Sequence, residues 1–181
     1  EQAAKILKQP PAIVRREYDC NFATLQIGHK ALESMGILNG GELVQEALEN
    51  ADILSALQPD EILRDILRAC DEHYVLFLIT GSPETAANKK LVALGIDNAL
   101  FRIRLYAGAE VQRHDGSAFE PVARELGTSL DRLLFVGDRE KVDILPAKAC
   151  GVSTAIVNAT SKHATYQLRS IYDIANVLLE D

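Results

Sequence analysis

Three short runs constrain the fold most: the continuously apolar VLFLI at residues 75–79 and LLFV at 133–136, and STAIV at 153–157, apolar from Ala155 on. Each is too short for a buried helix, and none alternates with polar residues as a half-exposed strand would. Strands of this kind are buried on both faces, which requires a parallel sheet with helices on either side. The intervening text agrees. A helix is expected over residues 60–70, and another with Pro83 just inside its start and Gly95 just past its end. A weaker strand follows at about 100–106, then helices at about 117–126, 143–150 and 167–179. Ahead of Gln58-Pro59-Asp60 the texture differs. Apolar residues recur at helical spacing through Ile13, Tyr18, Phe22 and Leu25, and again through Leu43, Ala47 and Leu48. Pro10-Pro11 and Asn39-Gly40-Gly41 punctuate them. The expected organisation is a small helical domain at 1–57 and an α/β domain at 58–181.

Composition narrows the partners. The 19 basic and 26 acidic residues give a net charge of −7, with no dense Lys/Arg cluster. Nucleic acid and anionic membrane are therefore excluded as main partners, although a local pocket can still hold a small anion. The apolar runs are far too short to span a bilayer, and no signal segment opens the chain. Cys20, Cys70 and Cys150 form neither a CxxC motif nor an even disulfide framework. A reducing, cytoplasmic location is expected.

In open parallel sheets, ligands bind beyond the carboxyl ends of the strands. Thr80, Gly81 and Ser82 follow VLFLI and precede a helix whose free N–H groups suit a phosphate. Equally, Ser82 would serve as a plain N-cap. After LLFV come Gly137, Asp138 and, five residues later, Asp143. Two carboxylates held together suit Mg²⁺, yet Asp143 is also placed to cap the helix ILPAKAC. Spacing alone does not separate these readings. Arg113, in the segment after the weaker strand, would neutralise a phosphate oxygen or stand solvated at the surface.

Taken in order, LFLITGS, RHDGSAFEPVARELG and LLFVGDREKVDILPAKACGVSTAIV resemble motifs II, III and IV of the haloacid dehalogenase-like (HAD) hydrolases. The GDxxxxD spacing with its Ala-Lys-Ala run is the most specific part. Upstream, VRREYDCNFATLQIGHKAL and LRDIL are similar to the helical cap of the branch containing pyrimidine 5′-nucleotidases. The likeness extends from about residue 3 to residue 157. It implies a Rossmann-like parallel-sheet core behind a small helical cap, and a phosphatase acting on a small phosphomonoester, with a nucleoside monophosphate among the candidates. Such enzymes work through an aspartyl-phosphate with Mg²⁺ at the same site. The resemblance gives Thr80 to the phosphoryl oxygen, Arg113 to the place of the usual Lys, and Asp138 and Asp143 to the metal.

The sequence departs from that pattern in three places. Gly81 stands where the branch has Asn after the Thr, and Arg113-His114 stands where it has Lys-Pro. The DxDx(T/V) motif that carries the nucleophile at the end of a first strand is absent. Its nearest string, Asp19-Cys20-Asn21-Phe22-Ala23, lies in helix-like text. The chain also opens on Glu1, not Met. The expectation is a truncated or atypical enzyme; the alternative is a non-catalytic HAD-like binding module. A sheet lacking that strand leaves backbone groups unpaired, so the position should be filled by a partner chain, a swapped element of a homo-oligomer or a rearranged strand.

Overall fold

The computed structural model describes residues 1–50, 52, 54–107 and 114–179. The chain forms two compact units, Glu1–Ala51 and Asp52–Asp181. The first is all helical: α1 (Gln2–Leu7), α2 (Pro11–Leu25), α3 (Gly28–Glu33) and α4 (Gly40–Asn50). Pro11 opens α2 because its missing N–H would have no intrahelical partner there, while Pro10 stays extended at ψ 135°. Ala4, Val14 and Met35 form a small core against Ala3, Leu7 and Tyr18. Beside it lies an apolar cavity of about 360 Å³ lined by Ala4, Val14, Tyr18, Leu32 and Val44.

The second unit carries the α/β pattern. Its order is α5 (Glu61–Asp71), β1 (Leu76–Ile79), α6 (Glu84–Ala93), β2 (Phe101–Leu105), α7 (Phe119–Glu125), β3 (Leu134–Gly137), α8 (Leu145–Ala149), β4 (Ser153–Val157), β5 (Tyr166–Leu168) and α9 (Ile174–Leu178). Asp60 caps α5, one carboxylate oxygen accepting from Leu63 N at 2.9 Å. The other accepts from the Tyr172 hydroxyl at 2.8 Å, tying the first helix of the unit to the chain before α9. That hydrogen bond to Asp60, with some burial and the carboxylate charge, raises the Tyr172 pKa. The raised value means that the bond's stabilisation is whole below the ordinary tyrosine range. It is lost as pH climbs through the raised value. In a ring-carbon NMR titration, Tyr172 should ionise later than a free tyrosine, and Asp60→Asn should bring it back down.

The strands make two parallel sheets, β1–β2 and β3–β4–β5. β4 is the central strand of its sheet and is buried from Thr154 to Val157. A helix expected from residue 167 is instead β5, followed by a short 3₁₀ turn and α9. Tyr166, Gln167 and Leu168 pair with Ala155, Ile156 and Val157, and Leu168 is buried. Ser170 and Asp173 then form a capping box that starts the turn. Tertiary pairing with β4 overrides the helical spacing of Leu168, Ile171 and Ala175.

The two sheets share one apolar layer without pairing to each other among the described residues. Ile79 of β1 and Phe135 of β3 belong to the same core cluster as Phe119, Val122 and Ala147, with Phe77, Ile103 and Leu105 packed against it. The Phe77 and Phe135 rings stack across the break, centroids 6.5 Å apart. Among the described residues, β1 pairs only with β2, and β3 only with β4. Leu76, Phe77, Leu78, Leu134 and Val136 are accordingly left half-buried.

Candidate functional site

Thr80, Gly81 and Ser82 leave the carboxyl end of β1. Thr80 N–H donates to Leu105 O at 2.9 Å, and Ser82 O accepts from Ala107 N at 3.0 Å, so the pairing with the β2 side continues past the strand. Ser82 N–H donates to Thr80 Oγ1 at 3.1 Å, closing a small hydroxyl turn. Ser82 is not the helix cap. Pro83 occupies that position, outside the helix and not just within it, and supplies no side-chain acceptor to the first turn. The Ser82 hydroxyl instead accepts from Lys90 Nζ at 3.1 Å. Sequence reading misses Lys90. The signal was present, since helical side chains tilt toward the N-terminus and a lysine two turns into α6 can reach back to its start.

At the end of β3 the chain turns through Gly137 and Asp138 into a wide π turn, Glu140–Ile144, that runs into α8. Leu145 N–H reaches back to Glu140 O, and Pro146, which has no N–H to give, follows it. Asp143 therefore does not cap a helix starting after it. It lies inside the turn, fully buried, and its Oδ2 accepts from Asp138 N at 3.2 Å and Arg139 N at 3.0 Å. Arg139 Nε lies 3.6 Å from Asp138 Oδ1 and 3.9 Å from Asp143 Oδ2. The Asp138 side chain is exposed at the rim.

Gly137 is required by this geometry. A Cβ there would fall 2.4 Å from Asp143 Cβ and 2.7 Å from its Cγ. The buried carboxyl group is thus drawn directly against the strand end, in space that any other residue would fill. As donors, Asp138 and Asp143 fit Mg²⁺, a hard cation that keeps several waters and takes only one or two protein carboxylates. Among the described residues no group of three or more His, Cys, Asp or Glu could hold a metal by itself. A further tie joins this turn to the loop after β4. The buried Ser161 hydroxyl donates to Glu140 Oε1 at 2.5 Å and accepts from His163 N at 3.1 Å.

Arg113 lies outside the described residues. Just after it, Asp115 Oδ1 accepts from Ser117 Oγ at 2.7 Å and Ser117 N at 2.9 Å, and these bonds hold its carboxyl below the usual aspartate range. Gly116, at φ 82°, packs so closely on α8 that a Cβ would meet Cys150 Sγ at 2.7 Å. Asp19 sits in the middle of α2, exposed and bonded to Arg15 at 2.9 Å. Two groups therefore stand at the carboxyl ends of the two sheets: Thr80 and Ser82 after β1, joined by Lys90 from α6, and Asp138 and Asp143 after β3.

A family model described as haloacid dehalogenase-like hydrolase matches residues 10–151. No curated protein sequence matches the chain. Among solved structures, a HAD-superfamily hydrolase of Geobacter sulfurreducens is 18% identical with a TM-score of 0.59, covering 97% of this chain and 84% of the other. A HAD phosphatase of Thermococcus onnurineus is 19% identical with a TM-score of 0.57, covering 92% and 88%. The Bacillus subtilis protein YfnB, solved bound to magnesium, is 19% identical with a TM-score of 0.56. That match covers 64% of this chain, which spans only 54% of YfnB. At these identities the likeness is one of fold, and the α/β architecture with parallel sheets agrees with it.

Proposed function

The chain belongs to the haloacid dehalogenase-like hydrolases, and on that premise we propose that it forms the phosphate- and metal-binding parts of a phosphomonoesterase. The substrate is a small phosphorylated molecule, and the likeness of residues 14–32 to the nucleotidase cap puts a nucleoside monophosphate among the candidates. Thr80 donates its hydroxyl to a phosphoryl oxygen, and Arg113 supplies positive charge beside it. Asp138 and Asp143 would hold Mg²⁺, which supplies charge neutralisation to the phosphoryl group when bound. Phosphoryl transfer is mostly positioning and charge stabilisation, and these residues are of the types it needs.

A carboxylate nucleophile must attack phosphorus while the ester P–O bond breaks and the alcohol leaves with a proton. Water then cleaves the acyl-phosphate. Asp19 is not that group, because it lies mid-helix in an ion pair. We place the nucleophile on an added strand seated between β1 and β3. The observation that carries this reading is the break itself: it is flanked by Thr80 at one strand end and Asp138 at the other.

The test is Mg²⁺-dependent hydrolysis of an aryl phosphate by the 181-residue chain and by a version extended with an N-terminal apolar strand ending in DxD. Turnover is expected only in the extended form, and Asp138→Asn should lower it at least ~100-fold, as loss of a transition-state charge stabiliser does. Equal turnover by the unextended chain would overturn the placement of the nucleophile. Silence in both would remove the enzyme reading and leave a non-catalytic binding module.

A further inference from the structure

We infer that Lys90 is a second cation of the phosphate site, delivering its charge to a bound phosphoryl group alongside the Ser82 hydroxyl; the inference rests on the phosphate-binding reading above. Its geometry is specific. The half-buried Lys90 side chain runs back along α6 to place Nζ 3.1 Å from Ser82 Oγ. Among the described residues no carboxylate lies within ion-pair distance of it.

That placement is unfavourable for the free protein. The ammonium is aimed toward the positive end of a ten-residue helix, and its one described partner is a neutral hydroxyl. Extending a lysine to that point costs side-chain freedom with no ion pair to offset it. An anion bound at the strand end removes the conflict.

The hydrogen-bond directions point the same way. A hydroxyl has one hydrogen to give. Thr80 Oγ1 accepts from Ser82 N, and Ser82 Oγ accepts from Lys90, so both hydroxyl hydrogens remain available to donate. The ammonium keeps two further N–H groups. The cluster thus offers donors and positive charge, which matches a tetrahedral oxyanion whose every oxygen accepts. Gly81, exposed between the two hydroxyl residues, puts no side chain in the way.

The experiment is a titration of the 181-residue chain with inorganic phosphate at constant ionic strength, followed by the backbone amide resonances of Gly81, Ser82, Glu84 and Thr85. Saturable shifts at these amides are expected. Lys90→Met, which keeps the apolar stem, should weaken binding at least ~10-fold, the loss of one charged hydrogen bond. Lys90→Arg should recover it to within ~3-fold. Lys89→Met, which removes the same net charge from an exposed neighbour, should change it less than ~2-fold. Spectra unchanged elsewhere would show each variant folded. If phosphate shifts these amides but binds Lys90→Met as tightly as the parent, or if Lys89→Met costs as much, the role of Lys90 is wrong and the phosphate site stands. If phosphate leaves the parent amides unmoved, both fall.

Discussion

Truncating Phe119 to alanine should destabilise the α/β unit by about 3–5 kcal/mol, the usual cost of removing a fully buried phenylalanine. The side chain is 0% exposed and meets Phe135 edge-on at 5.0 Å. It also lies in the layer that holds β1 and β3 together. With no strand pairing between the two sheets among the described residues, side-chain packing supplies their cohesion, so the cavity should not be shared out across a continuous sheet. Urea unfolding followed by circular dichroism measures the change. A loss under about 1 kcal/mol would mean that the two sheets are held by something other than this layer.

Gly137→Ala should cost about 3 kcal/mol and displace the Asp143 carboxylate. The new methyl would sit 2.4 Å from Asp143 Cβ and 2.8 Å from its Oδ2, distances that demand movement. The carboxylate is buried in the turn, and moving it strips the Asp138 and Arg139 amides of their acceptor. Overpacking contributes about 1–3 kcal/mol and each orphaned amide a further amount of similar size, partly recovered by relaxation. For a chain of this length a melting temperature lower by roughly 6–12 °C follows. Any Mg²⁺ binding detected by calorimetry should be lost as well. Gly41→Ala is the control, because a methyl there meets nothing within 4 Å. An alanine at 137 that melts like the parent would refute the close approach.

How much of this was legible follows from where each signal arises. STAIV reads as a strand and is one over its whole length, because burial on both faces favours β-branched and apolar residues without polar alternation. LLFV and VLFLI are read for the same reason, to within two residues. β5 was not legible, since three residues with two exposed side chains carry little pattern and gain their structure from β4. Thr80, Ser82, Asp138 and Asp143 could be singled out as candidates because a parallel sheet directs attention to its strand ends. Their contacts could not be foreseen. Ser82 looks like a cap in one dimension, and only the folded helix shows that Pro83 takes the cap and Lys90 takes Ser82. Asp143 looks like a cap as well, because nothing in EKVDI announces a π turn in place of a fresh helix start.

The strands also differ in how they are guarded. β2 alternates apolar residues with the exposed Arg102 and Arg104, and β5 is only three residues long. Charges and brevity are what natural sheets use on a rim to discourage unwanted pairing. β1 (LFLI) and β3 (LFVG) have no such protection: neither contains a charge or a proline. They are composed like β4, which has a neighbour on each side. Left without one, each presents an apolar, unguarded ladder of N–H and C=O groups to whatever strand arrives first. On the proposed reading, in which an added strand seats between β1 and β3, a chain lacking that strand would offer these two ladders to foreign strands or to copies of itself, and its solubility would report whether the position is occupied.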